Sequence, residues 1–133
     1  MAPQTAHSIT SDQRQSLAVT KMVMRLFEHW KITYEQQAML LDLSSRTHST
    51  IANYKHGRAV LPNNRDTQDR VRFLLGVHQQ LRKLFPLNLK LVYAWPTTPN
   101  QFFTGRTPIL VIEQEGFLGL VKVYRYLENY STS

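Results

Sequence analysis

Val19, Met22, Val23, Leu26, Phe27 and Trp30 recur at i, i+3, i+4, i+7, i+8 and i+11, the spacing that lays one apolar stripe along a helix. Ser11 and Asp12 precede the stripe and are good N-cap types, so a helix is expected from there to Trp30. Thr33 then opens T-Y-E-Q. Its hydroxyl can accept from the amide of Gln36 while the Gln36 side chain returns to the amide of Thr33, which predicts a short helix over 34–41. The polar run D-L-S-S-R-T-H-S-T follows, and the pair Ile51 and Tyr54 leads to Gly57, a natural residue beyond a helix C-terminus. Two short helices joined by a polar turn are expected.

Pro62 and the pair Asn63–Asn64 interrupt helical order. From 66 to 85 the residues Val71, Leu74, Leu75, His78, Leu81 and Phe85 hold to one face, so a long amphipathic helix is expected, stopped by Pro86. A short helix over 88–95 should close at Pro96, because a residue before proline is pushed out of the helical region. A loop over 96–106 comes next. Thr107 and Pro108 form an N-cap and N1 pair, starting a helix that ends before Gly116, and a last helix carries Leu120, Val123, Tyr124 and Leu127. No stretch alternates with period two, so the class is all-α.

Composition narrows the possibilities. The 133 residues contain no Cys, which removes disulfide scaffolds and Cys-ligated zinc. The longest apolar runs are far shorter than the ~20 residues of a membrane span, and no apolar stretch follows Met1 as a secretory leader would require. A cytoplasmic protein without a membrane partner is expected. The net charge is +7, and it is unevenly placed. Residues 1–83 hold 12 Lys and Arg against 6 Asp and Glu, and residues 84–133 hold 4 against 3. An anionic partner therefore belongs with the first part.

Catalytic signatures are missing. There is no phosphate-binding glycine loop, no G-x-S-x-G and no H-E-x-x-H string. Glu113 and Glu115 are two apart on a helix and point to different faces. The five His lack i, i+3 or i, i+4 partners, so no helical metal pair exists among them. Neither an enzyme nor a bound cofactor or metal is expected.

Residues 33–57 resemble the helix-turn-helix of Xre-type repressors. Ala38 takes the small position of the first helix, Leu41 and Leu43 flank the turn, and Ile51 and Tyr54 anchor the second helix. Asp42 stands where the turn glycine is usual, and the stretch from Leu43 to Ile51 is about three residues longer than the standard spacing. The second helix should start near Ser45 or near Ser49. On a docked helix of this kind, Arg46, His48, Ser49, Asn53, Lys55 and Arg58 offer groups for base edges and phosphates. On composition alone the same residues equally suit an ordinary solvated face.

From Gln68 onward the strings Q-D-R-V-R-F-L-L-G-V-H-Q-Q-L-R-K-L-F-P, W-P-T-T-P-N, F-T-G-R-T-P-I-L-V-I and G-L-V-K-V-Y-R-Y-L resemble, in matching order, the toxin-binding domain of the Xre/MbcA/ParS antitoxins. The resemblance implies an all-helical, usually dimeric antitoxin that represses its own operon through the helix-turn-helix. It also implies neutralisation of a RES-type toxin that degrades NAD. The expected division is a flexible tail at 1–10, a DNA-binding domain at 11–65 and a toxin-binding and dimerisation domain at 66–133. The alternative is a stand-alone helix-turn-helix regulator whose C-terminal helices serve oligomerisation.

Most residues in those strings read as structure. Phe85, Trp95, Phe103, Ile109, Ile112, Val123 and Leu127 fit a core, and Gly105 fits a positive φ before the Thr107–Pro108 helix start. Arg106 can pair inside the domain or reach a partner. Lys122, Arg125, Tyr126 and Tyr130 remain as surface groups of the last helix, which equally suit a solvated face; Tyr and Arg are the residue types that most often anchor interfaces, and the resemblance implies toxin contact through these four and Arg106.

Overall fold

The structure is a computed structural model, and it describes residues 10–43 and 47–132, with the side chains of 47, 48, 131 and 132 left out. Six helices follow one another: α1 Ser11–Trp30, α2 Tyr34–Leu41, α3 Thr47–Lys55, α4 Arg65–Leu84, α5 Leu89–Ala94 and α6 Pro108–Thr132. Two 3₁₀ turns, Trp95–Thr97 and Gln101–Phe103, lie between α5 and α6. The described residues contain no strand. The fold is all-α with a helix-turn-helix in its N-terminal part.

Local sequence explains most of the boundaries. At Thr33 the expected reciprocal cap forms, with the Gln36 amide donating to the Thr33 hydroxyl at 3.0 Å and the Thr33 amide donating to Gln36 Oε1 at 2.9 Å. The same device starts α1, but one residue earlier than expected. Thr10, Ser11, Asp12 and Gln13 repeat the pattern, and the Gln13 and Thr10 amides are satisfied by the Thr10 hydroxyl and Gln13 Oε1. Thr10 therefore belongs to α1 as its cap; the rest of the expected tail lies outside the described residues. Asn64 caps α4 by accepting from the Thr67 amide at 2.8 Å, and Thr107 caps α6 by accepting from the Leu110 amide at 3.1 Å.

The polypeptide departs from expectation around Pro96. Trp95 keeps right-handed helical angles, φ −55 and ψ −45, directly before the proline. Pro96 becomes the first-turn residue of a 3₁₀ segment, where its missing amide hydrogen is not needed. Asn100 then accepts from the Phe102 amide at 2.8 Å and starts a second tight turn, where a plain loop was expected. Past Pro108 the chain runs helically through to 132, broken only at Gly116, which has φ 67 and ψ −144. Those angles are open to glycine and strained for any other residue.

One apolar cluster runs from Val23 to Leu127 and draws on α1 through α6. Phe27, Leu40, Leu41, Ile51, Leu74, Leu81, Val92, Phe103, Leu120 and Leu127 are fully enclosed. Each such side chain stabilises the fold by roughly 1.5–3 kcal/mol. A cap contributes about 1 kcal/mol, so burial sets the stability and caps set where helices begin. Of the residues expected in the core, Phe103, Ile109, Ile112, Val123 and Leu127 are buried, whereas Phe85 and Trp95 are half-buried. Met22 is 53 % exposed and lies off the buried stripe of α1. On α4 the buried line is Val71, Leu74, Val77 and Leu81, with Leu75 and His78 at its edge.

Helices α4 and α6 approach closely because Gly76 carries no side chain. A Cβ there would stand 2.7 Å from Cε1 of Tyr124. No helix among the described residues is long and apolar enough to cross a membrane.

Candidate functional site

The turn between α2 and α3 depends on Asp42. Its φ of 55 and ψ of 43 are left-handed, the conformation for which such turns use glycine, and Asp is among the few side chains that adopt it readily. The Asp42 amide donates to Met39 O at 3.1 Å and the Leu43 amide to Ala38 O at 2.9 Å, closing the last carbonyls of α2 in a Schellman arrangement. The departure from glycine thus leaves the turn geometry intact. Ala38 is buried at the position where a small residue was expected.

Helix α3 is assigned from Thr47, between the two expected starts at Ser45 and Ser49. Ile51 and Tyr54 are buried and hold its inner face. Desolvation raises the Tyr54 phenol above its usual value, as suits a neutral anchor. Ser49 is exposed and Asn53 half-buried, four residues apart on the outward side. At the C-terminus the Gly57 amide donates to Tyr54 O at 3.2 Å and the Arg58 amide to Asn53 O at 2.8 Å. Gly57 has φ 74, and this second Schellman turn fixes Arg58, exposed, beside the end of α3. Lys55 is drawn toward α1, with Nζ 3.8 Å from Glu28 Oε2. That pair is exposed and weak, so an anion can compete for the ammonium. Of the six residues expected to reach DNA, Ser49, Asn53, Lys55 and Arg58 lie on or beside α3. Arg46 and the His48 side chain lie outside the described residues.

The C-terminal candidates separate into two groups. Arg106 is engaged within the fold: Nε donates to Phe103 O at 3.1 Å, and Nη1 donates to Gln114 Oε1 at 3.1 Å and Glu115 Oε2 at 2.8 Å. Lys122 Nζ donates to Glu115 Oε1 at 3.2 Å. These hydrogen bonds, first from Arg106 and then from Lys122, hold the Glu115 carboxyl below its ordinary value. Arg106 and Lys122 therefore clamp Glu115 from both sides of the Gly116 break. Of the two roles open to Arg106, the internal one is occupied.

Tyr126, Tyr130 and Arg125 form the other group. The Tyr126 ring meets Phe102 at 4.4 Å, Phe103 at 5.4 Å, Tyr130 at 6.1 Å and Trp95 at 6.2 Å between centroids. Phe102 and Tyr130 are each 61 % exposed, and Arg125 is exposed on the same helix. Phe102 was not among the expected surface residues. Its signal was the doublet Phe102–Phe103 in a one-turn segment, where adjacent side chains cannot both point inward.

A third cluster joins the two parts of the chain. The Tyr93 ring lies between His29 of α1, at 4.2 Å, and His78 of α4, at 5.6 Å, nearly parallel to both. His78 Nδ1 is buried with no hydrogen-bond partner among the described residues. Burial, then Arg82, then His29 hold the His78 imidazole below its usual pKa.

Residues 11–76 match the family model described as the antitoxin Xre-like helix-turn-helix domain. The span covers α1 through α3 and the first half of α4. A curated relative, the uncharacterized protein y4oB of Sinorhizobium fredii, is 27% identical over 126 residues, which make up 95% of this chain and 94% of that protein.

Proposed function

We propose that this chain is the antitoxin of a type II toxin–antitoxin system: it acts as a homodimer, represses its own operon through α2 and α3, and holds a RES-type, NAD-degrading toxin inactive through its C-terminal helices. The observation that carries the first part is the antitoxin Xre-like helix-turn-helix match at 11–76, together with the intact left-handed turn at Asp42. Exposed Ser49 and Arg58 and half-buried Asn53 supply hydroxyl, guanidinium and amide groups suited to phosphates and base edges. Support for the second part comes from the motif order after Gln68 and from the exposed rings Phe102 and Tyr130 beside Tyr126 and Arg125. Neutralisation is steric, with no catalytic step by this chain, and takes place in the cytoplasm.

Co-expression tests this reading. The protein encoded beside this chain's gene should arrest growth alone and lose that effect when this chain is produced with it. A neighbouring gene that encodes no RES-type protein, or a toxin that stays lethal, would overturn the antitoxin half. The second reading, a stand-alone regulator, draws on the same helix-turn-helix match; it predicts promoter binding without any neutralisation.

A further inference from the structure

Helix α1 carries Arg14, Lys21 and Arg25 and no acid between Asp12 and Glu28. The three cations are seven and four residues apart, so they form one row along the helix, and all three are exposed. At 3.6 residues per turn this row is opposite the buried side chains Thr20, Val23, Phe27 and Trp30. Lys21 and Arg25 make no ion pair among the described residues. Both acids of the helix are turned elsewhere: Asp12 lines a groove against Val71 and Arg72 of α4, and Glu28 Oε2 meets Lys55 Nζ at 3.8 Å.

The row adjoins the end of α3. The contact of Lys55 with Glu28 sets the last turn of α3 against α1 one turn beyond Arg25. The buried Thr20 hydroxyl donates to Ser16 O at 2.8 Å and accepts from the Leu61 amide at 3.0 Å, which pins the segment after α3 to α1 beside Lys21. Exposed Arg58 is three residues before Leu61, so their Cα atoms lie within about 11 Å.

We infer that the outward face of α1 is a second DNA-backbone contact, in which Arg14, Lys21 and Arg25 hold phosphates flanking the stretch met by α3. Arg14 and Arg25 are eleven residues apart, about 16 Å along a helix. One DNA strand presents about five phosphates over that length, at ~3.4 Å of rise each. A polymer with regularly repeated negative charge matches a row of cations that no acid interrupts. A protein partner is disfavoured because the row offers only Ala18 between its charges, whereas a protein interface needs an apolar centre. Contacts of this kind add affinity and register but read no base.

The inference rests on the reading of α2 and α3 as a DNA reader, and gel shifts with two duplexes separate the two. One duplex is the promoter fragment and the other a random sequence of the same length, each titrated over a range of salt. The triple variant Arg14→Ala, Lys21→Ala, Arg25→Ala keeps strong helix formers at exposed positions and should melt as the unaltered chain does. It should bind both duplexes ~10-fold or more weakly and lower the salt slope by about 2–3. If it melts early, Lys21→Gln alone reads the same effect as about one unit of slope. Arg14→Lys with Arg25→Lys keeps the charge and should restore binding to both duplexes. Unchanged affinity and slope in the triple variant, or a loss confined to the promoter, would overturn the inference and leave the α3 reading standing. Loss of toxin neutralisation with DNA affinity intact would overturn it in favour of a protein partner. An unaltered chain that shifts neither duplex would sink the DNA reading and this inference with it.

Discussion

Arg70, buried on α4, places Nη2 3.9 Å from the Asp42 carboxylate at the turn of the helix-turn-helix. The same guanidinium donates to Leu40 O at 3.4 Å, pairs through Nε with Asp66 at 3.2 Å, and lies 5.6 Å over the Phe117 ring just past the Gly116 break. One side chain thus ties the turn between α2 and α3 to the last helix. The Asp42 and Asp66 side chains are 66% and 56% exposed, so the charge pairs contribute little and the packing of the Arg70 stem and face contributes most. Arg70→Ala should therefore cost about 1–3 kcal/mol in urea unfolding, while Asp42→Asn, which keeps the left-handed turn, should cost under ~1 kcal/mol. Equal losses from the two variants would assign the stabilisation to the ion pair.

Two glycines should fail for different reasons. A Cβ on Gly116 meets nothing within 4 Å, so Gly116→Ala carries only the conformational penalty of φ 67, about 1–3 kcal/mol. Gly76→Ala presses on the Tyr124 ring and should cost a similar ~1–3 kcal/mol by overpacking. Tyr124→Leu should recover part of the second loss and none of the first, which denaturation of the double variants measures.

Acidification should loosen the contact between α1, α4 and α5. His78 is held neutral in the fold below its ordinary pKa of about 6.5, so the unfolded chain binds more protons as pH falls through that range. The stabilisation is present in full above about pH 6.5 and is lost as pH falls from there toward the folded value. The urea midpoint should be lower at about pH 5.5 than at about pH 7.5, and His78→Gln should shrink the difference. A midpoint that rises on acidification would contradict the neutral, stacked imidazole. Glu115 acts in a lower window: its stabilised carboxylate contributes above its ordinary range and is lost below it.

On the DNA side, base contact and phosphate contact should separate. Asn53→Ala should cost about 1–3 kcal/mol on the promoter and relax preference at one base position. Arg58→Ala should weaken all sequences alike and lower the salt slope by about 1. Binding that is indifferent to salt in the unaltered protein would remove α3 and its flank as the interface.

Much of this fold was legible because it is local. The T-Y-E-Q cap, the span of α4 and the Thr107–Pro108 start depend on neighbours within one or two turns, and they stand within a residue of where the pattern put them, although the buried line of α4 runs through Val77 and leaves Leu75, His78 and Phe85 half-buried. The cap at Thr10 was equally local and was missed because Ser11 and Asp12 compete as cap types. Non-local features were hidden: the role of Thr20 under Leu61, the engagement of Arg106 with Glu115, and the exposure of Phe102 each depend on which surface meets which. Trp95 stayed helical before Pro96 because the chain tightened into a 3₁₀ turn that needs no amide there.

The exposed ring Phe102 offers a clean probe of the C-terminal surface. Phe102→Ala should leave the melting temperature within a few degrees, since the side chain is 61 % exposed. It should weaken toxin binding by about 2 kcal/mol or more if the aromatic shelf anchors the partner, as does Arg125→Glu. Calorimetric titration of the toxin into each variant reads the effect, and unchanged affinity in both would move the contact elsewhere on the helix.

The proposed neutralisation works by covering the toxin, and titrating this chain into the purified protein of the neighbouring gene while following NAD consumption decides it. Activity should fall in proportion to added chain and vanish at a fixed stoichiometry, with the chain recovered intact in the complex. Undiminished NAD consumption in the presence of excess chain would contradict it.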